Sequence, residues 1–134
     1  MLVEKELRKL FRQLLQDDVV HIEVDGSDII VRVYEGASKL FVSTPVYNGG
    51  NFIPKSVRKS LEEKTPFARD HIKTYFTVDE NNFQISLNYI GKLDLEQNIM
   101  FKDIIEEFSW LAEEWRRYLD EHDKNDLIYV RVNK

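Results

Sequence analysis

Residues 19–34, VVHIEVDGSDIIVRVY, alternate apolar and polar side chains on both sides of one short polar connection. Successive residues of a strand point to opposite faces, so Val20, Ile22 and Val24 share one face while His21, Glu23 and Asp25 share the other. In the second run Ile29, Val31 and Val33 point inward. The connection DGSD is a tight hairpin turn in which Gly26 can take a positive φ. Such a pair demands an antiparallel sheet with one covered face, and the rest of the chain must supply the further strands and the cover.

A third run, KLFVSTPVY, comes after the turn EGAS. Pro45 has no N–H for a ladder, so this strand is expected to be an edge or to be ending there. Its alternation puts Phe41 and Tyr47 on the face opposite Leu40, Val42 and Val46. After the NGG break, Pro54 suits the first turn of a helix, and Ile53, Val57 and Leu61 recur every four residues until Pro66 closes the element. HIKTYFTVDE and NFQISLNYIG then form a hairpin around DENN, with Ile72, Phe76 and Val78 matched in type by Phe83, Ile85, Leu87 and Tyr89.

Two segments repeat at helical spacing. Leu7, Leu10, Phe11, Leu14 and Leu15 predict an amphipathic helix over 2–16, ended by Asp17-Asp18. Asp94 and Gln97 resemble a capping box, but Leu95 and Ile99 are out of phase with the apolar stripe from Phe101 onward, so the long helix is expected to begin near Met100. Its stripe contains Phe101, Ile104, Ile105, Phe108, Leu111, Ala112, Trp115 and Leu119, within an arc of roughly 120°. His122 is expected at its C-terminal end, and DLIYVRVNK alternates as a possible final strand. The expected fold class is α+β: helix, three-strand antiparallel meander, helix, two-strand hairpin, long C-terminal helix, possible final strand. A chain of 134 residues is expected to form one domain, 1–134, burying roughly two thirds of its unfolded surface.

Composition excludes several kinds of function. Without cysteine there is no disulfide framework, thiolate catalysis or cysteine-based zinc site, and a reducing, cytoplasmic setting is the default. The N-terminus, MLVEKELRKLF, reads as neither a signal nor a transit peptide, and no stretch approaches the roughly 18 consecutive apolar residues of a spanning helix. No membrane insertion is therefore expected. A net charge of −5 repels a phosphate backbone, and in the densest basic stretch, PKSVRKSLEEK, Glu62 and Glu63 dilute the cations. No nucleic-acid partner is expected either.

Candidate sites fail on their chemistry. GGNFIPKS, Gly49 to Ser56, approximates a phosphate loop, but Pro54 stands where the second glycine should be and offers no N–H. It reads as a loop entering a helix. His21, His71 and His122 sit on three separate elements and do not converge as metal ligands. Glu106, Glu107, Glu113 and Glu114 track the polar side of a helix, a solvated face rather than an acid–base pair. Ser43 and Ser86 lack a histidine at suggestive spacing and an elbow motif. No catalytic, cofactor-binding or metal residue is assigned. What stands out is Trp110, opposite the buried stripe, which faces the chain's own termini, a second protein, or solvent.

The second half carries a resemblance. YFTVDENNFQISLNYIGKLDL looks like the hairpin with an acidic turn of the class I chaperones of bacterial type III secretion, the Tir chaperone family. FKDIIEEFSWLAEEWRRYL is similar to that family's closing helix, in which aromatic residues such as Phe101, Phe108 and Trp115 mark the buried side. The layout matches over about the first 122 residues. The resemblance implies a small cytoplasmic homodimer without enzymatic activity or cofactor, holding an extended segment of a secreted effector protein before export. Carried over, the first helix and the meander would form the effector groove, with Leu10, Leu14, Ile30, Phe41 and Tyr47 as partner-binding residues, joined by Trp110 from the surface argument. Ile53, Val57 and Leu61 on the second helix would make the dimer contact. An apolar groove beside a strand edge suits an extended client, and acidic charge favours basic client segments. The alternative is a YbjN-like regulatory or adaptor domain that binds a folded signalling protein.

Overall fold

The computed structural model describes residues 4–24, 27–35, 38–63, 65, 72–92 and 98–132, with side chains of the last helix described over 101–123. In chain order the elements are α1 (Glu4–Asp17), β1 (Val19–Val24), β2 (Ser27–Tyr34), β3 (Lys39–Asn48), α2 (Lys55–Ser60), β4 (Thr74–Asp79), β5 (Gln84–Lys92) and α3 (Asn98–Val132). The strands form one antiparallel sheet in the order β1-β2-β3-β5-β4. Helices α1 and α3 pack on one face of it, α1 against β1 and β2 and α3 against β3 and β2, while α2 packs on α3. The fold is α+β, in the expected order of elements.

The alternating runs place their apolar halves as expected. Val20, Ile22, Val24, Ile29, Val31 and Val33 are all buried, and Leu40, Val42, Ile85 and Leu87 continue the same face. Helix α1 adds Leu7, Phe11 and Leu14, whereas Leu10 is half-buried and Leu15 is exposed at the margin of the stripe. It ends where Asp18 adopts φ 64°, a left-handed conformation that Asp tolerates, and donates its N–H to the Leu14 carbonyl. The Asp18 carbonyl in turn accepts from Val33 N–H at 3.0 Å, so the helix stop also starts the sheet.

Strand β3 is not an edge. It is the central strand, paired with β2 on one side and β5 on the other. Pro45 is tolerated there because the register shifts beside it: Pro45 faces Ser86 and Tyr47 faces Ile85, leaving Val46 as the extra residue of a bulge. The bulge breaks the alternation, so Val46 and Tyr47 are both buried, at 3% and 6% exposure. Tyr47 therefore belongs to the core and not to the face it was expected to share with Phe41.

Helix α3 buries Phe101, Ile105, Phe108, Leu111, Ala112, Trp115 and Leu119, with Ile104 half-buried at the stripe's edge. Complete burial of such a side chain contributes about 1.5–3 kcal/mol. Phe101 meets Phe11 of α1 at a ring separation of 5.1 Å, and Trp115 meets Phe76 of β4 edge-on at 4.7 Å. The helix begins at Asn98, close to the expected start, but runs on to Val132. The expected final strand is thus the helix's last two turns. Residues 98–132 contain no Gly or Pro, and a helix once formed gains one hydrogen bond for each residue added. His122 accordingly lies within the helix rather than at its end, with Nδ1 2.8 Å from the Tyr118 carbonyl oxygen.

Helix α2 begins after Pro54, which occupies the N-cap in an extended conformation, and buries Val57 and Ser60. Gly26, Pro66, His71 and the Asp94/Gln97 pair lie outside the described residues.

Candidate functional site

Apart from Asn88, the buried strand positions point toward the helices, and the alternate positions form a second face that no described helix covers. Strand pairing fixes its rows. Tyr34, Lys39 and Lys92 form the first row, and Val19, Arg32, Phe41 and Ile90 the second. His21, Ile30, Ser43, Asn88 and Tyr75 form the third. Beyond them come Glu23 with Asp28, then Pro45, Ser86 and Thr77, and last Asn48, Gln84 and Asp79.

This face is apolar in its middle and toward one end. Ile90 is 52% exposed, Tyr34 46% and Tyr75 43%, while Ile30 and Phe41 are half-buried between them. The Tyr34 and Phe41 rings meet edge-on at 6.5 Å. A polar ladder crosses the face: Ser43 Oγ donates to Asn88 Oδ1 at 2.6 Å, and Asn88 Nδ2 donates to Thr77 Oγ1 at 3.0 Å. With both ends of its amide occupied, Asn88 is buried without an unmet hydrogen bond, and it pins β3, β5 and β4 in register.

Among the described strands β4 ends the sheet and pairs on one side only, with β5. Its outer backbone edge runs beside the exposed Tyr75 and Val78, and Phe76 is anchored on Trp115. The β4–β5 turn is held from two directions. Asp79 accepts from the Asn81 and Asn82 backbone N–H groups and from the Asn82 amide at 2.8 Å, which hold its carboxyl below the usual value. Arg58 of α2 grips Glu80 through two bonds, at 2.8 and 2.9 Å, lowering the Glu80 pKa.

On the helical side, Arg116 of α3 reaches the bulge. Its Nε and Nη2 donate to the Pro45 carbonyl, Nη2 donates to Thr44 Oγ1, and Nη1 donates to Ser27 Oγ. Burial pushes its pKa down and Glu113 opposes the shift. Tyr118 donates to Glu63 Oε2, which raises the phenol's pKa and ties α3 to the end of α2.

The expected partner-binding residues are scattered across these surfaces. Ile30 and Phe41 lie together on the uncovered face, Leu10 is half-buried on α1, and Trp110 is 37% exposed on α3. Leu14 and Tyr47 are buried beneath the surface. Of the residues expected at a dimer contact, Ile53 and Val57 are buried within this chain's own core and Leu61 is half-buried. Tyr34, Tyr75 and Ile90 were missed, although each occupies an outward position of an alternating run and could have been found by counting outward apolar residues. Among the described residues no three metal-ligating side chains converge, and no helix is long and apolar enough to cross a membrane.

No protein-family profile matches the chain, and no curated protein matches it in sequence. Solved structures do. A chain of the ExsC-ExsE complex is 16% identical with a TM-score of 0.58, over 88% of this chain and 96% of that one. A chain of the ExoT-SpcS complex from Pseudomonas aeruginosa is 16% identical with a TM-score of 0.49, over 81% of this chain and 91% of that one. The ExsC-ExsE likeness shows that the two chains share their fold.

Proposed function

We infer that the protein is a non-enzymatic, chaperone-type binding module of the cytoplasm, which holds an extended segment of a secreted effector before type III export. The observation that carries this reading is the fold likeness to a chain of the ExsC-ExsE complex over nearly the whole of both chains. The outer edge of β4 supports it. An extended client adds backbone hydrogen bonds along that edge and sets alternate side chains beside Tyr75 on one face and Val78 on the other. Leu10 and Trp110 offer further apolar contact as the client wraps the helical side. Net charge of −5 favours basic client segments.

The test is purification from the native host, then mass spectrometry and limited proteolysis of whatever is bound. The expected result is a secreted protein, held through a protease-resistant segment near its N-terminus. Recovery of only folded metabolic proteins, or of nothing, would overturn the reading. A folded signalling partner would support the adaptor alternative instead.

A further inference from the structure

The end of β3 holds a chemically reactive pair. Of the chain's asparagines, only Asn48 is followed by glycine. In such a pair the glycine nitrogen can attack the side-chain amide carbon of the asparagine, because no Cβ crowds the five-membered ring that closes. The fold itself requires the glycine, since a Cβ at Gly49 would collide with the Phe52 carbonyl oxygen. Packing of the loop therefore imposes the pair.

In the folded chain hydrogen bonds keep the reacting atoms apart. Gly49 N–H donates to the Phe83 carbonyl at 2.7 Å, continuing the ladder one step past the Asn48–Gln84 pair. Asn48 Oδ1 accepts from Gly50 N–H at 3.1 Å, and Asn51 N–H donates to the Gly49 carbonyl at 3.0 Å. Asn48 belongs to β3, and its extended backbone turns the Gly49 nitrogen away from the Asn48 side chain. Ring closure needs rotation about the Asn48 Cα–C bond, which the bond to Phe83 prevents. The proton that the nitrogen must lose is also the one that Phe83 holds. Asn48 is exposed, so water and base reach it as soon as that bond opens.

We propose that Asn48-Gly49 is a self-modification site, silent while Gly49 is bonded to Phe83 and converted when the paired end of β3 and β5 opens. On opening, the Gly49 nitrogen gives its proton to solvent base and bonds to Asn48 Cγ. The Cγ–Nδ2 bond breaks, Nδ2 takes up a proton and leaves as ammonia, and a succinimide spans the two residues. Water then adds to one of the two ring carbonyls and opens the ring. Opening on the side-chain side leaves aspartate at position 48. Opening on the main-chain side leaves isoaspartate, whose backbone runs through the former side chain and is longer by one methylene. Either product adds negative charge to the row that ends in Asp79, and isoaspartate cannot restore the ladder in register. Conversion therefore favours further opening of the same end. The inference stands apart from the effector reading, because it rests only on the loop's own geometry.

Incubation of the full chain at mildly alkaline pH tests it, with mass spectrometry of proteolytic fragments to locate the product and hydrogen exchange at the Gly49 amide read in parallel. A synthetic peptide of residues 46–52, which has no ladder, is expected to convert about 30-fold or more faster than the folded chain. Asp79→Ala removes the bonds from Asn81 and Asn82 that shape the β4–β5 turn leading into Phe83. It is expected to raise both Gly49 exchange and conversion about fivefold or more. Urea below the unfolding midpoint is expected to raise the two together in the wild type, which keeps the test valid if the variant folds poorly. Asn48→Gln, whose side chain would have to close a six-membered ring, is expected to abolish the product with far-UV circular dichroism unchanged. A folded chain that converts at the peptide's rate overturns the proposal. So does conversion that stays constant while Asp79→Ala or urea accelerates exchange at Gly49.

Discussion

Arg116→Ala is expected to destabilise the fold by about 2–4 kcal/mol. The guanidinium is the link between α3 and the far end of the sheet. It donates to the Pro45 carbonyl at 3.1 and 2.8 Å, to Thr44 Oγ1 at 3.0 Å, and to Ser27 Oγ. Ser27 and Thr44 are each 1% exposed on an otherwise apolar face. Truncation leaves Thr44 its bond to the Asp28 carbonyl at 2.9 Å, whereas the Ser27 hydroxyl loses the guanidinium. A hydrogen bond to a charged group contributes about 1.5–3 kcal/mol, and a buried hydroxyl left unsatisfied costs about 1–3 kcal/mol. Arg116 is itself half-buried, so water replaces part of what is lost and the sum stays well below four full bonds. Urea unfolding read by circular dichroism measures the effect: at a slope of about 1.5 kcal/mol per molar, the midpoint falls by about 1.3–2.7 M. Arg116→Lys should recover little, because an ammonium cannot reproduce the planar fork. Ser27→Ala should cost about 1–2 kcal/mol in the wild type and much less on the Arg116→Ala background. A midpoint for Arg116→Ala within about 0.3 M of wild type would refute the reasoning that this side chain ties α3 to β2 and β3.

Three further outcomes are expected. Gly49→Ala should lower stability by about 1–3 kcal/mol in the same unfolding assay, because a Cβ there collides with the Phe52 carbonyl oxygen, which is backbone and cannot swing away. Asn82→Ala should let the Asp79 carboxyl rise toward its ordinary value of 3.8, read by NMR titration, because the Asn82 amide is the largest influence holding it down. The folded-state pKa of Asp79 lies below its unfolded one, so the turn's contribution is complete above about pH 4 and is lost as pH falls through the folded value. The stability difference between wild type and Asn82→Ala should shrink accordingly in acid. Trp110→Ala should change chain stability by less than about 1 kcal/mol yet weaken client binding by about 2 kcal/mol, measured by calorimetry with the bound segment as a peptide. A large loss of stability with binding intact would place Trp110 among the chain's own structural contacts.

The features legible from residue order are those that local periodicity dictates. The inward sets of β1 and β2, the buried sides of α1 and α3 and the helix entering after Pro54 all depend on a repeat of two or of about 3.6, which neighbouring residues enforce without reference to the rest of the chain. The misreadings share a cause. Pro45 points to an edge strand only if the ladder beside it is regular, and a bulge one residue later makes a central position tolerable while turning Tyr47 inward. Residues 126–132 alternate like a strand, but a strand requires a partner, and the helix already running through Asp120 and His122 continues instead. Arg116 reads as one more cation on a charged helix, and only the fold brings Ser27, Thr44 and Pro45 to its guanidinium from 71 to 89 positions away.

The surfaces divide in the same way. Ile30 and Phe41 could be marked as outward and apolar from the strand period alone, and Trp110 from the helical period. That Ile30 and Phe41 share a face with Tyr34, Tyr75 and Ile90, and that this face has cations at one end and carboxylates at the other, depends on the strand order β1-β2-β3-β5-β4 and its register. Alternation says which side of its own strand a residue occupies. Only strand pairing says which residues of distant segments share that side, because pairing is set by long-range hydrogen bonds and by the cover that α1 and α3 supply.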